Sequence, residues 1–389
     1  MTHQDLHAQR GNSLLTAAGL DEVLVFGAPR VMGTGTQAFP NFYHLLGVDT
    51  GNAIALGHLR RGGSTRVFSP NFFLIDDLEA GPPTEIGFIW APWHEFGETI
   101  AHAIGSGGPI GLLGATEMPM RMWAAITAQI DAARFVDLDA LSARLRILPD
   151  AVQMRDHASA AVIVDALFDR LPAMARNGEP TWMLQRRLEA EAMLRGADQC
   201  VCWMTTAPAA DYYRTAKTVA LRVPEDGDQL LLGVMLTVNG AWGHGIRTYH
   251  LGPPRAALLA LHQGIAEVQR EVVALLRPGA RLTTANDAIE ALYRKVFPGV
   301  VETGRRFRTV HGLGFSYEEP ASSPMFRQPF ERPQASETAS AETAAGMLFE
   351  VHPNLFLPEV GGVAIGDMLM IAEGENEYLT RYPRSLHVV

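Results

Sequence analysis

Cysteine is nearly absent: the 389 residues hold two, Cys200 and Cys202. Residues two apart in a strand face the same way but lie too close along an extended chain to staple a fold, so no disulfide framework is expected. Positive charge is also in short supply. Lys and Arg number 32 against 42 Asp and Glu, a formal net charge of −10, the wrong sign for a surface that neutralises nucleic-acid phosphates. Long apolar runs are missing as well. The longest, Leu230 to Leu236, is broken by Gly233 and falls far short of the roughly 20 residues of a membrane helix. Met1 to Asn12 is polar and mixed in charge, with no apolar segment of signal-peptide length behind it. A cytoplasmic protein with neither nucleic acid nor membrane as partner is expected. The Gly-rich stretch Gly105-Ser106-Gly107-Gly108-Pro109 lacks the lysine and helix start of a phosphate-binding loop, and no repeat of solenoid length is visible.

What is present is ordinary globular material. A hydrophobic share of 47% with 19% charged residues supplies a sizeable core, and the length suits two domains of roughly 100 to 200 residues each. Residues 1–150 read as a first α/β domain, with β-rich pieces at Val23 to Phe26 and Thr65 to Phe68 and helical stretches at Glu95 to Ile104 and Met120 to Ile130. Leu145 to Leu148 reads as the end of a strand, after which helical spacing begins at Ala151 and runs to Arg170. The second domain, 151–389, mixes strands (Cys200 to Met204, Gln229 to Val238) with helices (Gln185 to Arg195, Arg255 to Leu276, Thr284 to Val296). Pro320 to Gly346 is rich in Pro, Ser, Ala and Thr without periodicity and reads as a long surface loop.

The second domain carries an ordered series of short motifs: Gly227-Asp228, Arg247-Thr248, Arg277-Pro278-Gly279, His311-Gly312-Leu313-Gly314, Glu319-Pro320, Gly346-Met347, Gly361-Gly362-Val363 and Pro383-Arg384. In order and spacing this series resembles the pita-bread superfamily of methionine aminopeptidase, aminopeptidase P, prolidase and creatinase. The likeness runs from about residue 140 to the end, and the first 140 residues resemble, more weakly, the N-terminal domain of creatinase and prolidase. The fold implied is α/β (α+β), a creatinase-like N-terminal domain followed by a pita-bread domain, and relatives of this build imply a homodimer.

Hydrolytic members of that family hold two metal ions with two aspartates, one histidine and two glutamates, and this chain departs at four of the five. Laid without a gap, the aspartates fall on Gly233 and His244, the histidine on His311, the glutamates on His352 and Gly366. Two glycines remove the second ion's private ligand and the bridge between the ions, whereas the first ion's positions carry His244, His311 and His352. Neutral imidazole is the commonest protein ligand for first-row metals, so one divalent ion (zinc, iron, copper or manganese) is the implied cofactor. The family histidine of a His-Glu-Pro motif falls on Glu318, a candidate general base, and the catalytic histidine of metal-independent relatives falls on Ala216, near which Tyr213 and Arg214 are candidates for contacting a substrate. Strand alternation turns Glu350 to the same face as His352, as a partner orienting an imidazole or as a distant surface charge. The function implied is hydrolysis of a C–N bond in a small polar or anionic molecule. Redox or lyase chemistry at iron or copper is the alternative, and a metal-free creatinase-like hydrolase or non-catalytic binding module is the other class.

Overall fold

The computed structural model describes residues 3–30, 38–82, 84–105, 107–211, 220–300, 303–317, 319 and 342–389. The chain divides into two compact units, Met1–Arg146 and Ile147–Val389.

In the first unit six strands form one mixed sheet: β1 (Glu22–Gly27), β2 (Ala55–Arg60), β3 (Arg66–Ser69), β4 (Gly87–Trp90), β5 (Ile110–Leu113) and β6 (Phe135–Asp137), in the order β4-β3-β2-β1-β5-β6. The central strand β1 is buried throughout because helices cover both faces of the sheet. Val23 and Val25 point into one cluster with Leu14, Phe42 and Leu45, whereas Leu24 and Phe26 point into another with Phe96, Ile100 and Ile126. The segment Leu145 to Leu148 is not the end of a strand: Leu145 and Arg146 close a helix, Asp139–Arg146, and Ile147 and Leu148 lie in the bend after it. Its apolar residues do not alternate into a core: Leu145 is 43% exposed, and the buried side of the turn is polar, with Ser142 and Arg146 bonded to the Asn41 side chain.

The second unit is built from strands β7 (Gln199–Ala207), β8 (Gln229–Val238), β9 (Ala241–His250), β10 (Val310–Gly312), β11 (Leu348–Val351), β12 (Asn354–Leu357), β13 (Gly361–Ala364), β14 (Asp367–Met370), β15 (Glu377–Tyr378) and β16 (His387–Val388). One sheet runs β16-β9-β8-β7, a second runs β10-β11-β14-β15, and β12 and β13 form a hairpin. Helices Ala151–Met174 and Thr181–Leu194 cover the first sheet. Helices Ala256–Leu275 and Leu282–Val296 cover the second sheet and the hairpin.

The long helix starts at a capping box, with Asp150 accepting from the amides of Val152 and Gln153 while the Gln153 side chain accepts from the Asp150 amide. It lies unusually close to β9 because two glycines face it. A Cβ on Gly243 would lie 2.7 Å from Ala160 Cβ, and one on Gly245 would lie 2.9 Å from Val164 Cγ1. Strand alternation then turns His244 and Ile246 to the opposite face, where Ile246 exchanges backbone hydrogen bonds with Gly366. A fully buried Arg247 locks that junction, donating to Asp367 Oδ1 at 2.7 Å and to the Gly366 carbonyl at 2.6 Å. Asp367 is held in turn by Gln269, Thr380 and Arg384. Burying this arginine is tolerated because its charge is paired and hydrogen-bonded.

Candidate metal centre

Three strand segments deliver the site. His244 comes from β9 on the face away from the long helix. In the antiparallel pairing of β10 with β11, His311 stands directly opposite Glu350, so the two side chains leave the same face of the sheet. His352, two residues beyond Glu350, follows it by alternation. The rings converge: centroids lie 5.0 Å apart for His311 and His352, 5.6 Å for His244 and His311, and 5.8 Å for His244 and His352. All three are buried, and Glu350 in their midst is 0% exposed.

The Glu350 carboxylate reaches each ring. Oε2 lies 3.1 Å from His311 Nε2 and 3.7 Å from His352 Nε2, and Oε1 touches His244 Nδ1. Room for that carboxylate exists because position 366 is glycine. A Cβ there would lie 2.6 Å from Glu350 Oε1 and 2.8 Å from the Ile246 amide nitrogen. The space vacated at Gly366, where the family resemblance places a glutamate, is thus entered by a carboxylate from β11. At Gly233, the position matched to an aspartate, the nearest atom to a Cβ would be Ile246 Cγ1 at 3.7 Å, so nothing crowds it.

Electrostatics define the protonation of the cluster. Burial pushes His244 down to about 3, with the Arg308 charge adding to the effect. Burial also lowers His311, against the pull of Glu350, and holds His352 well below the ordinary range, helped by His311, His244 and Arg308. The rings are therefore neutral. The same desolvation raises Glu350 to about 7, opposed by His311.

A neutral imidazole offers one lone pair, and its partners decide where that lone pair points. His311 Nδ1 lies 2.9 Å from the Gly312 carbonyl, which can only accept, so the proton sits on Nδ1 and Nε2 turns a lone pair on Glu350. Six buried atoms, namely His244 Nδ1, His311 Nε2, both Glu350 oxygens and both His352 nitrogens, have no hydrogen-bond partner among the described residues. Buried polar atoms left without hydrogen bonds are costly, and a cation held by the lone pairs among them offsets that cost. His244, His311 and Glu350 offer ligand atoms within 4.8 Å of one another, and imidazole and carboxylate are ordinary donors for zinc and other first-row metals. The residues fit a metal ion.

Residues outside any motif hold the frame. Asn354 donates from Nδ2 to the carbonyls of His352, Phe307 and Arg308, and its Oδ1 accepts from the Phe307 amide. It thereby ties the strand end that bears His352 to the segment before β10. Phe307 stacks on the His352 ring at 5.3 Å, and Tyr317 meets His244 Nε2 at 2.9 Å. Sequence reasoning had no signal for Asn354, Phe307 or Tyr317. Trp242 is buried, 3% exposed, with its ring 5.1 Å from the Tyr317 ring. Cys200 and Cys202 are free thiols in β7, the latter buried. Glu318, Tyr213 and Arg214 lie outside the described residues, as do Ala216 and residues 320–341 of the Pro320 to Gly346 stretch. Among the described residues no helix is long and apolar enough to cross a membrane.

Comparison with known proteins agrees with this architecture. An uncharacterised peptidase of Bacillus subtilis, YqhT, is 26% identical over 269 residues, covering 69% of this chain and 71% of its own. A prolidase from Thermococcus sibiricus superposes with a TM-score of 0.79 at 20% identity over the whole of both chains. An X-Pro aminopeptidase from Thermotoga maritima gives 0.78 at 16% identity, covering 98% of this chain and 99% of that one. Likenesses at that level of identity establish the fold: a prolidase-like, two-domain pita-bread architecture over the full chain. Metallopeptidase family M24 matches residues 155–373, more than half of the sequence, and the chain belongs to that family as a hydrolase of C–N bonds.

Proposed function

We propose that this hydrolase works with a single divalent metal ion, held by His244, His311, His352 and Glu350, and cleaves a C–N bond in a small polar or anionic molecule such as a dipeptide. The observation that carries the proposal is the set of six buried, unpartnered nitrogen and oxygen atoms on these four residues, with ligand atoms of His244, His311 and Glu350 within 4.8 Å of one another. When bound, the ion supplies Lewis acidity at the scissile carbonyl. The chain's own residues do the rest. The imidazoles and Glu350 fix the ion's place, Phe307 and Trp242 pack against the cluster and its Tyr317 neighbour, and the nearby Arg308 charge favours an anionic group. Glu318 serves as general base, and Tyr213 and Arg214 contact the substrate. The names of the relatives, a prolidase and an X-Pro aminopeptidase among them, support peptide-like substrates. The working form on this proposal is a cytoplasmic homodimer.

A second chemistry has one specific observation in its favour. His244, His311 and Glu350 form a two-histidine, one-carboxylate set, the donor set of many non-haem iron oxygenases, so redox or lyase chemistry at iron stands as the alternative.

Metal analysis by mass spectrometry on untagged protein tests the centre. The expected result is one ion per chain, falling to near zero in His311→Ala. Two ions per chain, or none in folded wild type, sinks the single-ion centre. The metal found and turnover of a dipeptide panel with that metal separate hydrolysis from iron chemistry.

A further inference from the structure

We propose that Tyr317 is a positioning residue that makes His244 ligate through Nδ1. This deepens the metal-centre assignment and rests on it.

The geometry is asymmetric between the two nitrogens of His244. Nδ1 faces Glu350 Oε1 inside the cluster, whereas Nε2, on the far edge of the ring, lies 2.9 Å from the Tyr317 hydroxyl. One nitrogen cannot serve both directions, so the outer partner decides which edge of the ring is offered to an ion.

Tyr317 is well placed to hold that orientation. It is 5% exposed, and its ring packs on three neighbours, with centroids 4.6 Å from His311, 5.1 Å from Trp242 and 5.5 Å from His244. The chain just before it is fastened to the strand that bears His244. Trp242 donates from its amide to the Gly314 carbonyl at 3.3 Å and from Nε1 to the Phe315 carbonyl at 3.1 Å. Trp242 and His244 are two residues apart in β9, so phenol and imidazole share one rigid support.

His311 and His244 are held by different kinds of partner, and the difference has a consequence. The Gly312 carbonyl opposite His311 Nδ1 only accepts, which commits that ring to Nε2. The Tyr317 hydroxyl both donates and accepts. With no cation present it can donate to His244 Nε2 while the ring proton sits on Nδ1 toward Glu350. With a cation at Nδ1, the proton there leaves to solvent, a proton from solvent is taken up at Nε2, and the resulting Nε2–H donates a hydrogen bond to the phenolic oxygen after the hydroxyl rotates. The ring stays neutral in both states, the tyrosine keeps its own proton, and the contact between His244 and Tyr317 persists with donor and acceptor exchanged.

The test uses the full chain, wild type and Tyr317→Phe. The substitution removes the hydroxyl and keeps the ring, and folding is checked by circular dichroism. Each protein is stripped of metal and titrated with zinc and cobalt(II) against a competing chelator. Tyr317→Phe should bind about 10- to 100-fold more weakly and give an altered cobalt absorption band. Equal affinity and an unchanged band overturn the positioning role while leaving the metal centre intact. Nitrogen-15 NMR of the histidines in zinc-loaded wild type gives a reading that does not depend on the variant folding. It should show His244 with zinc on Nδ1 and a proton on Nε2, and zinc on Nε2 overturns the proposal. A folded wild type that binds neither metal removes the centre itself, and this role with it.

Discussion

Replacing Glu350 by glutamine should make the metal-free protein more stable and the metal-loaded protein less so. Burial lifts this carboxyl from near 4.5 to about 7 in the folded chain. The sign follows from linkage. Below about 4.5 the group is neutral in both folded and unfolded chains, and it takes nothing from stability. As pH rises, the unfolded chain releases a proton that the folded chain retains, and stability falls until both are ionised above about pH 7. Each pH unit is worth ~1.4 kcal/mol, so the interval costs the metal-free protein about 3 kcal/mol at pH 8. Glutamine carries no charge to bury, and its amide can donate to the His311 Nε2 lone pair that now faces an oxygen at 3.1 Å. The metal-free variant should therefore exceed wild type by about 3 kcal/mol at pH 8 and match it near pH 4. Adding zinc at a concentration 1,000 times its dissociation constant should return roughly 4.1 kcal/mol to wild type and far less to the variant, so the gap reverses. Urea denaturation in chelator and in zinc, at both pH values, measures each quantity. A metal-free variant no more stable than wild type at pH 8, with an undiminished zinc response, would refute the argument that a buried carboxylate is kept for a cation.

Gly366→Ala adds one methyl group at a point where the Ile246 amide nitrogen, which cannot move freely, lies 2.8 Å away and Glu350 Oε1 lies 2.6 Å away. It should cost about 1–3 kcal/mol and lower the bound metal by displacing the carboxylate. Wild-type stability with full metal content would contradict the close approach. His157 is buried, donates from Nδ1 to the Trp242 carbonyl at 2.8 Å, and is pushed down to about 4 by desolvation. Its folded value lies below its unfolded one, so its stability contribution is complete above about pH 6.5 and is lost as pH falls toward 4, by about 3 kcal/mol. His157→Gln should flatten that part of the stability curve when urea midpoints at pH 7.5 and 5 are compared, and an unflattened curve would show that another group titrates there.

Much of the molecule was legible in the linear chain because it depends on local periodicity. The helix beginning at Ala151 and the helix from Ala256 show themselves by spacing and by stop signals, and β8 by its run of large apolar residues. The end of the helix Asp139–Arg146 is not legible, since a short run such as Leu145-Arg146-Ile147-Leu148 suits either period and only the helix's polar contacts to Asn41 decide. At the site, the two-residue spacing of Glu350 and His352 predicts a shared face, and the ordered motifs single out three histidines among 13. Spacing could not say whether Glu350 points into the cluster or away from it. That depends on the register of β11 against β10 and on the empty space at Gly366, which belong to residues far away in the chain.

Sequence alone determined which residue types are available: three imidazoles and two glycines at positions where the family resemblance places metal ligands, and the strand alternation that gives each side chain a face. Tertiary structure alone decided which lone pairs meet. The direction of an imidazole's free nitrogen is set by what touches the other nitrogen, the Gly312 carbonyl for His311 and the Tyr317 hydroxyl for His244. Tyr317 stands 73 residues from His244 along the chain, a contact that no local pattern encodes and that exists only once the strands have packed.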